Sequence, residues 1–209
     1  MQWLFTSRKT LVAGVGVFLV ALGIIGYAVF SPQESSQQVL GMSIEVPPDW
    51  EQKKSEEIPS TVRYQPSGAT VLFQHRESPE AIIGFAVKET NGQTSFDQES
   101  IEKLRASYAD GSKGDLQKLD EKKINGNPAL ELIVDITVQA FQPGASTANN
   151  TESNASSSLA QFRVRRALMI IGDQLITVTA SAPEDIAGDI LPSSVWEDML
   201  KSISEPSTT

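Results

Sequence analysis

The histidine content limits the catalytic chemistry that this sequence can offer. His75 is the only histidine in 209 residues, and there is no cysteine. A Ser-His-Asp triad or a histidine metal site would have to include His75, because no thiolate can replace it. His75 lies in a strand-like run between Gln74 and Arg76, where a half-exposed strand position is a more common role than a general base. With no glycine-rich phosphate loop present either, we expect no enzymatic activity and no cofactor.

Acidic residues near the C-terminus form one candidate binding group. Glu184, Asp185 and Asp189 could surround an ion such as Ca²⁺, which takes oxygen ligands. No EF-hand loop accompanies them. Acidic residues just before a helix are more often solvated, so a calcium site is the alternative to the expectation of no metal.

Basic residues form the second candidate group. Arg163, Arg165 and Arg166 follow one another in a strand-like segment. Guanidinium groups bind carboxylates with paired hydrogen bonds, so Arg163 and Arg165 are candidates for contacting a protein partner. The alternative is that they form cross-strand ion pairs on an exposed face.

An apolar run near the N-terminus determines where these residues are placed. Residues 11–30 contain no charge, Asn, Gln or Pro, and a helix of this length spans a bilayer core of roughly 30 Å. Arg8 and Lys9 precede the run, whereas the fifteen residues after it contain no Lys or Arg. The positive-inside bias therefore predicts a cytoplasmic segment 1–10, a single-pass anchor, and an extracytoplasmic domain.

A cleaved signal peptide is the alternative interpretation of this run. Gly26 and Ala28 are small enough for cleavage after Ala28. The run is longer than most signal-peptide cores, which favours an anchor that is retained. In both cases residues 31–39 would form a polar linker, 40–204 the exported domain, and 205–209 a short tail.

Charge restricts the partners of the exported part. Two of the 17 basic residues precede the apolar run and all 26 acidic residues follow it. The exported part therefore has 15 basic and 26 acidic residues, a net charge of −11. Such a surface repels nucleic acid, so we expect none as a partner. The high charge is also what solubility requires.

Alternating apolar residues predict a sheet with short turns. The expected strands are 42–46, 62–64, 70–75, 81–88, 116–124, 129–138, 159–171 and 174–181, with a charged loop over 51–60 and a type II′ turn at Gly172-Asp173. Two amphipathic helices are expected, one over 97–109 capped by Ser95 and one capped by Ser194. Strands joined by short turns are antiparallel, so the predicted fold class is an α+β sandwich.

One segment has no apolar pattern. Residues 142–158 consist almost entirely of Ser, Asn, Thr, Ala and Gly. Such a composition cannot bury enough surface to offset its ordering entropy, so we expect a disordered insertion between two paired strands.

Four features together resemble the PsbP-like family, named for the extrinsic protein of the oxygen-evolving photosystem. They are the strand that ends in Pro47 and Trp50, the segment INGNPALEL with Gly126, the hairpin RRALMIIGDQLITVTASAPE, and a last helix with Trp196. The resemblance covers residues 40–204 and implies an antiparallel sheet between helices, a fold also found in a Ran-binding nuclear-import protein and in bacterial envelope lipoproteins. Pro47, Trp50, Gly126 and Trp196 would then be structural. The apolar run and 142–158 depart from the photosynthetic members.

Three classes of function are compatible with these features. The anchor, the resemblance and the absence of a catalytic set favour a non-catalytic accessory or assembly subunit of a membrane complex. An extracytoplasmic module that binds a small ligand or cation is the alternative. An envelope hydrolase is a second alternative, which the single histidine and the lack of cysteine disfavour.

Overall fold

The computed structural model describes residues 36–59, 62–139 and 159–205. These residues contain nine strands and three helices, joined by turns and loops. The strands are β1 (Ser36–Val39), β2 (Met42–Glu45), β3 (Trp50–Lys53), β4 (Val71–His75), β5 (Ile82–Glu89), β6 (Asp115–Ile124), β7 (Asn127–Gln139), β8 (Leu159–Ile171) and β9 (Gln174–Pro183). The helices are α1 (Gln98–Ala106), α2 (Ala187–Ile190) and α3 (Ser193–Ser202), and Ser55–Glu57 form a 3-10 turn.

Seven of the strands form one antiparallel sheet in the order β3-β4-β5-β9-β8-β7-β6. The apolar strand β5 lies inside the sheet and the charged strand β6 lies at its edge. A two-residue turn at Gly172 and Asp173 joins strands β8 and β9. Gly172 has a φ of +59°, which the first central position of a type II′ turn requires. β1 and β2 form a separate hairpin.

The two faces of the sheet carry different coverings. On one face, Ala129, Met169 and Val178 belong to the main hydrophobic core together with β2 and α3, whose Trp196 is fully buried. The end of α3 is fixed to β2 by two backbone hydrogen bonds between Ser43 and Ser204, of 3.0 and 3.1 Å. On the other face, α1 lies over β7 and β8, where its Leu104 lines a cavity with Val134 and Val164. The α+β fold class with helices on both faces is confirmed for the described residues.

Several boundaries differ from the sequence-based expectations. Residues 36–39, expected in the linker, form β1, because Leu40 and Gly41 adopt positive φ values of 54° and 82° that allow a tight hairpin. Part of the expected charged loop 51–60 is the edge strand β3, which pairs with β4 despite its polar sequence. The expected strand at 62–64 was wrong: this segment and the residues up to Ala69 pair with no strand in the part of the chain described.

The helix caps were also predicted incorrectly. The side chain of Asp97, and not that of Ser95, caps α1 by accepting a 2.6 Å hydrogen bond from the Ser100 N–H. Helix α3 begins one residue before the predicted cap Ser194, after Pro192, which has no side-chain donor or acceptor. The short helix α2 has too few residues to show a helical pattern.

Some expectations lie outside the described residues. They concern the segment 1–10, the anchor 11–30 and the insertion 142–158. Within the described ranges, no helix combines the length and apolar character needed to cross a membrane.

Gly84 in the middle of β5 is where a strand residue must be small. A Cβ at this position would lie 2.7 Å from the Cβ of Ala69 and 2.9 Å from that of Pro66. Gly84→Ala is therefore expected to lower the free energy of unfolding by about 1–3 kcal/mol, the usual cost of overpacking. Urea unfolding followed by circular dichroism measures it. Gly188→Ala, where the added Cβ has no neighbour within 4 Å, is the control and should be close to neutral.

Candidate functional site

Two of the three arginines predicted from the sequence meet on the face of the sheet that α3 covers. Arg163 and Arg165 are two residues apart in β8 and therefore point to the same side of the sheet. Arg165 lies opposite Ile133 of β7, and Arg163 lies opposite Asp135. Arg166 points to the other face, where it donates a 3.1 Å hydrogen bond to Thr179. The structure thus separates Arg166 from the group.

Arg165 takes part in a buried network of charges around Glu131. The Glu131 side chain is only 4% exposed and accepts hydrogen bonds from Lys122 at 2.8 Å and Arg165 at 3.0 Å. Burial alone would raise the pKa of Glu131, but these two cations outweigh it and hold the pKa below the ordinary carboxyl value. The carboxylate is therefore charged at neutral pH and fixes the Arg165 guanidinium in place.

Trp196 of α3 covers this network. Its indole N–H donates a 2.7 Å hydrogen bond to Glu131, and its ring lies 5.1 Å from the guanidinium carbon of Arg165. A tryptophan face attracts a cation at this distance. Trp196 thus connects the helix to the sheet through both Glu131 and Arg165.

Arg163 lies closer to solvent and is held by two carboxylates. It donates hydrogen bonds to Asp135 at 2.9 Å and to Glu184 at 3.0 Å, with its side chain 37% exposed. The hydrogen bond to Asp135, more than the charge of Glu184, raises the pKa of Arg163. Both arginines therefore form the cross-strand ion pairs that were the alternative to a partner contact.

A cavity of about 280 Å³ opens beside both arginines, between β7, β8 and β9 and the segment that carries α2. Its lining consists of apolar side chains, two serines and the two arginines: Trp50, Ile133, Arg163, Arg165, Ala180, Ser181, Ala182, Ala187, Gly188, Ile190, Leu191, Pro192 and Ser193. None of these described lining residues is acidic. We call this space the arginine cavity.

One hydrogen-bond donor next to the arginine cavity is unused. The Nε of Arg165 is buried and has no partner among the residues described. Its Nη1 reaches only the Ser193 hydroxyl, at 3.5 Å, and its Nη2 is taken by Glu131. A buried donor without a partner costs free energy.

The structure gives His75 a local role. Its ring packs edge-on against Trp50, with 5.2 Å between the ring centroids. Its Nδ1 accepts a 3.2 Å hydrogen bond from the backbone N–H of Ser78. One ring nitrogen is thus used by the main chain, and the aromatic contact places His75 at the margin of the core.

The acidic residues proposed as an alternative metal site are not brought together. Glu184 is bound to Arg163, and Asp189 lies in α2. Across 36–59, 62–139 and 159–205, no group of three or more His, Asp or Glu side chains is close enough to hold a metal ion.

A second cavity lies on the opposite face, under α1. It has a volume of about 420 Å³, and Tyr64, Tyr108, Lys113 and Arg166 are among its lining residues. Burial raises the pKa of Tyr64, and the nearby Arg166 partly offsets this effect. Its polar groups come from the segment 62–69, from the turns that follow α1 and from β8, so no single motif in the sequence indicated it.

Glu131 is the site residue that the sequence-based reasoning missed. It lies in the apolar run ALELIV, where its side chain points to the face opposite that of Leu130 and Leu132. An acidic residue inside a strong strand pattern was the signal that could have revealed it. Trp50 was expected to be structural, and the structure places it in the core and also in the wall of the arginine cavity.

The fold and the site together define an α+β domain with an antiparallel sheet and a cationic cavity. No family model matches the chain, and no curated protein matches it. Among solved structures, the chain is similar to PsbP from Synechocystis, with 15% identity, a TM-score of 0.43, and coverage of 79% of this chain and 87% of that one.

Two further solved structures show a likeness of the same degree. For LpqN, described as involved in cell envelope biogenesis of Mycobacterium tuberculosis, the identity is 12%, the TM-score 0.45 and the coverage 79% and 83%. For the Saccharomyces cerevisiae Ran-binding protein Mog1p, these values are 12%, 0.41, 79% and 90%. The chain covers 46% of a longer matching chain from Bacteroides thetaiotaomicron. At these identities and TM-scores the similarity carries no conclusion about family, partners or activity.

Proposed function

We propose that this protein is a non-catalytic accessory or assembly subunit, tethered to a membrane, that binds a protein partner of a membrane complex through the arginine cavity. The observation that carries the proposal is the presence of two guanidinium groups beside apolar walls in one cavity. Buried arginine next to an apolar pocket is typical of sites that anchor a partner.

The hydroxyl groups in the arginine cavity favour binding over catalysis. A serine nucleophile needs an adjacent general base. Ser193 accepts a hydrogen bond from Arg165, and Ser181 donates one to the backbone oxygen of Ile82 at 3.4 Å. Both hydroxyls therefore contact groups that cannot remove a proton.

The membrane tether is the sequence-based part of the proposal. The run 11–30 would anchor the chain with its N-terminus in the cytoplasm and the domain outside. An anchor raises the local concentration of the domain near a membrane partner, so that a contact of modest strength suffices.

A module for a small anionic ligand is the second candidate function. The same arginine cavity favours it, because a volume of about 280 Å³ has room for a small molecule. Such a protein would bind its ligand equally well with or without residues 1–30.

Crosslinking in native membranes, followed by mass spectrometry, tests the proposed function. The full chain is expected to capture one specific membrane complex, and a chain without residues 1–30 should lose it. Arg163→Gln with Arg165→Gln should reduce the captured amount about tenfold or more, the effect of removing a charge-assisted hydrogen bond.

Arg105→Gln provides the matched control. Arg105 is an exposed arginine of α1 that is paired only with Glu102 in the described structure, and its replacement should leave capture unchanged. Equal capture by the double variant would show that the arginine cavity is not the contact, and the absence of any specific complex would contradict the accessory role.

A further inference from the structure

We propose that the second cavity, the space of about 420 Å³ under α1, binds a small phosphate monoester whose ester group is apolar. We call this space, with Tyr64, Tyr108, Lys113 and Arg166 in its lining, the α1 cavity. It lies on the face of the sheet opposite the arginine cavity, so this site is additional to the proposed function and does not depend on it. Three properties carry the inference: two cations without a carboxylate partner, two tyrosine hydroxyls beside them, and apolar walls.

Arg166 provides the first of these cations. It is half-buried in β8, and its Nε donates a 3.1 Å hydrogen bond to Thr179. Among the residues described, the arginines that pair with a carboxylate are Arg63, Arg105, Arg163 and Arg165. Arg166 is not one of them, so its two Nη groups have no carboxylate to bind.

Lys113 provides the second cation, at the exposed side of the α1 cavity. The next residue, Gly114, lies directly on β7, because a Cβ there would be 2.6 Å from a methyl carbon of Ile136 and 2.7 Å from one of Val134. This close approach fixes where the Lys113 side chain begins. In the described part of the chain, the lysines that form ion pairs are Lys53, Lys103, Lys118, Lys122 and Lys201. Lys113 is not among them.

No acidic side chain of the described lining offsets these two charges. The acidic residues nearest to Lys113 in the sequence are Asp110 and Asp115. They accept hydrogen bonds from Ser112 and Gln117, and neither lines the α1 cavity. Two positive charges thus share one space in a chain whose formal net charge is −9, and an anion from outside would neutralise them.

Two tyrosines add uncharged donors to the α1 cavity. The ring of Tyr64 packs against Phe162, with 6.4 Å between the ring centroids, and Tyr108 lines the same space. Burial raises the pKa of Tyr64, and the charge of the nearby Arg166 offsets this effect only in part. The Tyr64 hydroxyl therefore stays protonated at neutral pH and can donate a hydrogen bond to an anion held by Arg166.

Charge and shape favour a phosphate monoester over a carboxylate. A phosphate monoester carries a charge of about −1.5 to −2 at neutral pH, which matches two cations, whereas a carboxylate would leave one of them uncompensated. The donors come from the segment 62–69, from the turns after α1 and from β8, so they reach the cavity from several sides. Three phosphate oxygens accept hydrogen bonds in different directions, while the two oxygens of a carboxylate lie in one plane.

The walls indicate that the phosphate belongs to an organic molecule. Leu104, Val134 and Val164 line the α1 cavity beside the polar groups. A volume of about 420 Å³ is within the range of small-ligand sites. Inorganic phosphate would leave these apolar side chains uncovered, whereas an apolar ester group would contact them and add to the affinity.

Isothermal titration calorimetry of the full chain with three probes tests this inference. The probes are phenyl phosphate, phenylacetate and inorganic phosphate. Phenyl phosphate is expected to bind about tenfold or more tightly than each of the others, because only this probe combines the second negative charge with an apolar group. Absence of binding would overturn the inference. Equal affinity for phenyl phosphate and either of the other two probes would do so as well.

Variants test whether the ligand lies in the α1 cavity. Arg166→Gln is expected to weaken the binding of phenyl phosphate about tenfold to a hundredfold, the factor contributed by hydrogen bonds between charged groups. Arg105→Gln, an exposed arginine of α1 outside the cavity lining, should leave the affinity unchanged. Loss of binding in Arg165→Gln together with full binding in Arg166→Gln would place the anion in the arginine cavity and contradict the inference.

Two milder variants keep the test decisive if Arg166→Gln does not fold. Lys113→Gln changes an exposed side chain, and Tyr64→Phe keeps the ring that packs against Phe162. Each should weaken the binding of phenyl phosphate severalfold. Unchanged affinity in both variants would show that the α1 cavity is not the site.

Discussion

Replacing Trp196 with alanine is expected to lower the free energy of unfolding by about 3–5 kcal/mol, the range found for removing a buried aromatic side chain. Trp196 is 0% exposed and contacts the sheet through Glu131 and Arg165. The alanine variant leaves a large void between α3 and the sheet and takes one hydrogen bond from a buried carboxylate. Urea unfolding of the full chain, followed by circular dichroism, measures the change.

Two control variants separate packing from polarity at this position. Trp196→Phe keeps most of the buried apolar area but loses the indole N–H, so it should cost less than Trp196→Ala. Leu159→Ala removes a large apolar side chain that is 62% exposed and should change stability by about 0.5 kcal/mol or less. A Trp196→Ala variant as stable as Leu159→Ala would mean that α3 does not need the tryptophan to pack on the sheet.

Glu131→Gln is expected to destabilise the fold by about 3 kcal/mol at neutral pH, because removing one partner of a buried ion pair leaves the others uncompensated. Arg165 and Lys122 would then be held near each other without their shared carboxylate. Glu121→Gln, on the exposed side of β6, is the matched control and should be near neutral.

The stability that Glu131 contributes is expected to depend on pH. Because the cations keep the pKa of folded Glu131 below its value in the unfolded chain, its contribution is fully present above the unfolded-state pKa of about 4.3. It is lost as the pH falls through the lower folded-state pKa. Stability curves measured from pH 7 downwards should therefore fall less steeply in acid for Glu131→Gln than for the native chain. Parallel curves would show that Glu131 does not titrate in this way.

The long strands could be predicted from the sequence, because their alternation of apolar residues has a direct physical cause. β7, β8 and β9 each bury one or both faces, and the turn at Gly172 follows from its position between them. β3 could not be predicted in the same way. Apart from Trp50, its side chains are polar, and it is a strand because β4 provides hydrogen-bond partners. Such pairing depends on residues about twenty positions away.

The candidate site was predictable only in part for a similar reason. Arg163 and Arg165 were placed together by the period of two in a strand, and the same rule should have excluded Arg166. Glu131 is 34 residues before Arg165 and 65 before Trp196. Their meeting depends on the register of β7 with β8 and on where α3 packs, and neither is encoded locally.

The charged edge strand β6 affects how copies of this domain meet one another. Its outer side has no pairing partner within the described chain, and its sequence DLQKLDEKKI carries lysines and acidic residues along its length. An open strand edge is otherwise a template on which a second sheet can grow. Where two copies of the domain meet at this edge, the desolvation of these side chains opposes fusion of the two sheets into a continuous ribbon. A high local concentration of the domain would then not start a filament at this edge.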